Sequence, residues 1–151
     1  MRRPEWLGRA VDPGLRVLLG GVFLAAAVQK IANPFAFALS LARLQVLPRP
    51  ALGPVAIALP WIEAVGAAAL LGVPPFREAA LRLLLGLLVA FTAVLVLAAA
   101  RGSAGCGCFG TVDGFWGRTE VGLVRNLLLA GIAAALVVRG RRRAIQGPRA
   151  A

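Results

Sequence analysis

The chain contains no histidine and no tyrosine, a single lysine, a single methionine and two cysteines among its 151 residues. Without histidine it lacks the commonest metal ligand, the usual haem ligand and the side chain that most readily carries protons near neutral pH. Two thiolates alone cannot complete a tetrahedral zinc site, which takes four ligands. Copper(I) favours soft sulfur, so handling of copper(I) or another small solute stays open as an alternative function, weakened by the lone Met1. Acidic residues are also scarce, six against 17 Lys and Arg, and the formal charge is +11. Charged residues make up only 15% of the chain, against about 25% in an ordinary soluble domain. With 60% hydrophobic residues, the composition is that of a membrane protein. Its basic excess then marks orientation and contact with anionic lipid rather than with nucleic acid.

A helical crossing of the ~30 Å hydrocarbon layer takes about 20 apolar residues, and four such runs fill the chain. The expected fold is an all-α, four-helix transmembrane bundle forming one integral membrane domain over residues 1–151, with helices at about 15–32, 51–73, 79–100 and 121–138. Residues 1 to 13 read as a polar lead-in. Their basic start, the run from Val17 to Val28 and the alanines at 25 to 27 imitate a cleaved signal peptide, but no soluble domain follows that would need export. Asn33-Pro34 breaks the first helix. Phe35 to Leu47 is too short to span and suits a short interfacial helix between helices 1 and 2. Pro60 and Glu63 fall inside the second span, and Gly86 and Thr92 in the third are expected points of close helix contact. Residues 139–151 form a basic tail.

Both cysteines lie in the connection 101–118, in the stretch Gly105-Cys106-Gly107-Cys108-Phe109-Gly110. Glycines on each side free the backbone to bring the two sulfurs together. A bridge between them closes a very small ring, departs from relaxed geometry and is correspondingly easy to reduce. The competing reading is a static bridge or two idle thiols in a turn. Arg101 and Arg118 flank the loop and Arg125 follows it, and cations favour the reactive thiolate. Ionisable residues inside a span usually face a partner or a cavity. Glu63 and Arg125 are therefore expected to pair beneath the loop, joining helices 2 and 4 and relaying protons to the sulfurs, or acting as a purely architectural pair. Asn126 reads as a packing residue, and Lys30 as an interfacial anchor that snorkels.

Four crossings put both termini on one side. That side carries eleven Lys and Arg and the opposite side six, so the positive-inside rule places the termini in the cytoplasm and the cysteine loop outside. Cysteines facing an oxidising compartment can form and pass on disulfides.

Gln29-Lys30 with Asn33-Pro34-Phe35, Leu59-Pro60-Trp61-Ile62-Glu63, Arg101-Gly102, Cys106-Gly107-Cys108-Phe109-Gly110 and Arg125-Asn126, in this order, resemble the MauE-type methylamine-utilisation membrane proteins of the DoxX-like group. The resemblance runs from about Leu15 to Val138, and its most specific part is the cysteine motif followed by Arg-Asn. It implies a bacterial four-helix protein of the cytoplasmic membrane, concerned with disulfide formation or thiol transfer as exported proteins mature, beside a membrane-anchored or exported thioredoxin-like partner. It does not imply a role in methylamine metabolism. The expected catalytic residues are Cys106, Cys108, Glu63 and Arg125. No cofactor motif is present; a bilayer quinone is a weaker alternative, since lipophilic sites between helices leave little trace in sequence. A third reading makes the protein a non-catalytic membrane anchor for a partner.

Overall fold

The computed structural model describes residues 5–100 and 119–146, which places the cysteine loop 101–118 outside the described residues. The described chain is helical: α1 (Glu5–Ala32), α2 (Pro34–Arg43), α3 (Arg49–Gly72), a single 3-10 turn (Pro74–Phe76), α4 (Arg77–Ala100) and α5 (Thr119–Gln146). Four segments are long and apolar enough to cross a membrane, Asp12–Ala32, Arg49–Gly72, Pro74–Leu97 and Val121–Arg142. The protein is a four-helix membrane bundle, with α2 as the short helix between the first two spans.

Two helices outrun their apolar segments. The expected polar lead-in is helical from Glu5, with Pro13 inside α1, and the expected basic tail continues α5 to Gln146. Hydropathy marks where a helix leaves the hydrocarbon, not where it ends. Arginine is a good helix former, and Pro13 removes a single backbone donor. These extensions carry ion pairs: Arg139 Nη1 lies 3.0 Å from Asp12 Oδ1 and Arg16 Nη2 lies 2.9 Å from Glu78 Oε1. Both join α1 to its neighbours at the end of the bundle that holds the start of α4 and the finish of α5.

Around the ring, α1 packs on α3, α3 on α4 and α4 on α5, while α1 and α5 meet most lightly. Leu19, Phe23, Leu70, Leu84, Leu88 and Leu136 are core residues. Val17, Ile57, Val65, Val89 and Leu128 point outward, as lipid-facing positions do. With apolar groups on both faces, close packing decides which helices meet. A Cβ on Gly20 would come within 2.7 Å of Leu71 Cγ, and one on Gly66 within 3.1 Å of Leu84 Cδ2. These, with Gly140, where a Cβ would come within 2.9 Å of Glu78 Oε2, are close approaches among the described residues, and Gly86 and Thr92 are not. Gly86 faces open space, and the Thr92 hydroxyl donates to the Leu88 carbonyl of its own helix at 2.7 Å.

At the opposite end, Asn33 caps α2, its Oδ1 accepting from the Ala36 amide at 3.2 Å. Pro34 occupies the first turn, where its missing N–H costs nothing. Beyond α2, Gln45 adopts a left-handed φ of 51°, which turns the chain toward α3. The helix packs on α3 and buries Phe37.

Candidate functional site

Beneath α2 the bundle buries charge. Lys30, in the last turn of α1, is 4% exposed and Glu63 of α3 is 1% exposed, and Nζ lies 2.7 Å from both carboxylate oxygens. The Phe37 and Phe91 ring centroids stand 5.2 and 5.1 Å from the same nitrogen, within range of cation–π attraction. Sequence places each partner. Asn33-Pro34 ends α1 just past Lys30 and starts α2, which brings Phe37 over the ammonium. Pro60 sits one turn before Glu63 inside α3 and leaves the Ala56 carbonyl without its usual amide partner.

The pair forms part of the wall of a cavity at the centre of this half of the bundle, to which Arg125 and Asn126 of α5 also contribute. The centres of water-sized spheres have ≈ 50 Å³ to occupy there. Asn126 is 5% exposed. Apart from the four polar residues the wall is apolar, including Phe23, Leu88 and Leu129. Arg125 lies six residues inside α5, about 9 Å from its start at Thr119, and Phe91 about 13 Å from the end of α4 at Ala100. The connection bearing the cysteines therefore joins the bundle at the cavity's end.

Of the residues singled out in sequence, Glu63, Arg125 and Asn126 come together here. The Glu63–Arg125 pair does not form; the carboxylate is held by Lys30. Lys30 is accordingly no snorkelling anchor, because α2 and Phe37 close over the position from which it would reach the interface. Cys106 and Cys108 lie outside the described residues. Phe37, Phe91 and Asp12 escaped sequence reasoning: a phenylalanine in an apolar run carries no mark of the cation it faces, and Asp12 looked like part of a solvated start. The one available signal for Lys30 was that the chain's single lysine and its single mid-span acid were both facing burial costs that a pairing would relieve.

Comparison with curated proteins and with solved structures gives no match. The family of methylamine utilisation protein MauE matches residues 5–139, from the first turn of α1 to the point where α5 becomes basic, and so takes in every helix, the cavity and the cysteine loop. On that match the chain belongs to the MauE family.

Proposed function

We propose that the protein exchanges disulfides on the outer face of the bacterial cytoplasmic membrane, through Cys106 and Cys108, with a thioredoxin-like partner during maturation of exported proteins. The observation that carries this reading is the coincidence of two features. The chain's two cysteines share one glycine-flanked connection, and that connection leaves α4 and enters α5 at the end where Lys30, Glu63, Arg125 and Asn126 gather around a cavity. Membership of the MauE family adds to it.

In the exchange a thiolate of one cysteine displaces a sulfur of the partner's disulfide and forms a mixed disulfide. The neighbouring cysteine then displaces the partner, which leaves as a dithiol. The reverse sequence oxidises the partner by the same bonds. Each turn moves protons between sulfur and surroundings, and the buried Lys30–Glu63 pair, with Arg125 beside it, is the proton store.

Thiol trapping in intact cells tests the reading. A membrane-impermeant alkylating reagent should label Cys106 and Cys108 only after a reducing agent has been applied from outside. Labelling that requires lysed cells, or unaltered maturation of exported disulfide proteins in the Cys106→Ser and Cys108→Ser variants, would overturn it and leave the non-catalytic anchor.

A further inference from the structure

The end of the bundle opposite the cavity holds two arginines that its acids leave unused. Arg82 of α4 and Arg141 of α5 are exposed, and both fall inside apolar segments, Pro74–Leu97 and Val121–Arg142. Glu78 stands four residues before Arg82, the spacing of a helical ion pair, yet its Oε1 binds Arg16 at 2.9 Å. Asp12 binds Arg139 at 3.0 Å. Neither Arg82 nor Arg141 has a hydrogen bond or ion pair to a described residue. An arginine that faces lipid inside an apolar segment is costly and turns its guanidinium toward the headgroups. Both arginines also border one furrow. Val89, Ala93 and Val96 of α4 and Leu127 and Ala130 of α5 line an apolar groove where the two helices meet. Arg82, Val89 and Val96 are spaced by heptads and Leu127 and Arg141 by two of them, a repeat that drifts only about 20° each time around a helix. Each arginine therefore lies on the groove-lining face of its own helix. Their levels agree as well. A Cβ on Gly140 would come within 2.9 Å of Glu78 Oε2, which sets Arg141 beside the start of α4, and Arg82 is about 6 Å beyond Glu78.

We infer that the furrow between α4 and α5 seats one anionic phospholipid, its phosphate held by Arg82 and Arg141 and an acyl chain running up the furrow to the groove. A guanidinium meets phosphate oxygens through paired N–H donors, and a phosphate supplies the counter-charge that both arginines lack among the described side chains. Val89, where the groove begins, stands about 17 Å beyond Glu78, a little more than the ~15 Å depth of one leaflet's hydrocarbon. A chain hanging from a phosphate at the level of Arg141 ends there. Gly86 lies on the way, exposed, and a Cβ built on it would meet nothing within 4 Å, so the chain's course is unobstructed. The groove offers no charged side chain, and its one hydroxyl, on Thr92, donates to the Leu88 carbonyl at 2.7 Å, which suits hydrocarbon. A free phosphate would use the arginines and leave the groove empty; two cations below an apolar bed select the lipid. A zwitterionic headgroup brings a cation of its own toward the arginines and is disfavoured. This is a single site, distinct from the diffuse attraction of a basic end for anionic lipid, and it makes no use of the cysteine connection.

The test uses the full chain in phosphatidylcholine bilayers at physiological ionic strength, where diffuse attraction is screened beyond about 8 Å. Trp6, Trp61 and Trp116 are replaced by phenylalanine, and Gly86→Trp introduces a single reporter one turn beyond Arg82. Phosphatidylglycerol with dibrominated acyl chains is the quenching probe. Quenching should saturate, with phosphatidylglycerol favoured over equally brominated phosphatidylcholine on the order of tenfold. Arg82→Gln/Arg141→Gln should bring that ratio to about one. Arg16 and Glu78 stand at one level, so Leu24→Trp, eight residues beyond Arg16 as Gly86 is beyond Glu78, sets the reporter at the same depth on the exposed side of α1. There the preference should not exceed about twofold. If Gly86→Trp fails to fold, Val89→Trp, at a position 59% exposed, takes its place. Equal preference at the α1 and α4 reporters overturns the site in favour of diffuse attraction. A preference that survives loss of both arginines overturns it too, and relief of quenching by inorganic phosphate would reveal an anion site with no seated chain and overturn the lipid.

Discussion

Lys30 and Glu63 are a pair whose partners depend on one another. Each is a charge withdrawn from water, and removing one partner of a buried pair costs about 3–5 kcal/mol because the other is stranded. Replacing both with apolar residues is often nearly neutral. Lys30→Met and Glu63→Leu are therefore each expected to lower the stability of the bundle by about 3 kcal/mol, while the double variant regains most of the loss. Denaturant titration in mixed micelles reads this as a double-mutant cycle, and losses that simply add would show that the two residues do not act as a unit. Half of the pair was legible in sequence. An acid inside an apolar run stands out wherever it occurs, and Glu63 did. Its partner did not, because position along a helix gives height in the membrane but neither azimuth nor neighbour. Arg125 stood at a suitable height on another span and Lys30 looked like a helix end. The choice was made by α2, whose return over the end of α1 cannot be read from the hydropathy of either.

Among the elements, the number of spans was legible because crossing the hydrocarbon imposes a length and a polarity on each one, and Leu, Ala and Val supplied both. Which faces of those spans meet was not. Leu84 and Val89 are equally apolar, yet the first is buried and the second is 59% exposed, since lipid and core make the same demand on a side chain. Small residues carry the discriminating information, and only the structure says which of them matter. Gly20 and Gly21 are adjacent, but only Gly20 faces Leu71, whereas a side chain on Gly21 would meet nothing within 4 Å. Gly20→Val should push α1 from α3 and cost about 1–3 kcal/mol of overpacking. Gly21→Val, a substitution of the same size on the lipid side, should be close to neutral. Thermal unfolding of the two variants side by side, followed by far-ultraviolet circular dichroism, measures the difference. Equal losses would mean that α1 and α3 do not approach at Gly20.

The whole molecule is polarised along its axis. One end holds the Asp12–Arg139 and Arg16–Glu78 ion pairs together with the exposed Arg82, Arg141 and Arg142. The other holds α2, the cavity and the two helix ends between which the cysteine loop runs. The proposed orientation follows from the positive-inside rule, by which excess arginine at the first end would set it in the cytoplasm, where thiols are kept reduced, and the second end on the oxidising side. Topology is thus a condition on chemistry, and the two can be tested together. A tag fused after Ala151 should resist protease in right-side-out vesicles and become sensitive when the vesicles are inverted, while the loop shows the opposite pattern. Tag and loop accessible from the same side would mean that α5 does not cross. An exchange of sides would leave the four spans intact but set the cysteines facing the cytosol, where a pair held reduced has no exported disulfide to meet.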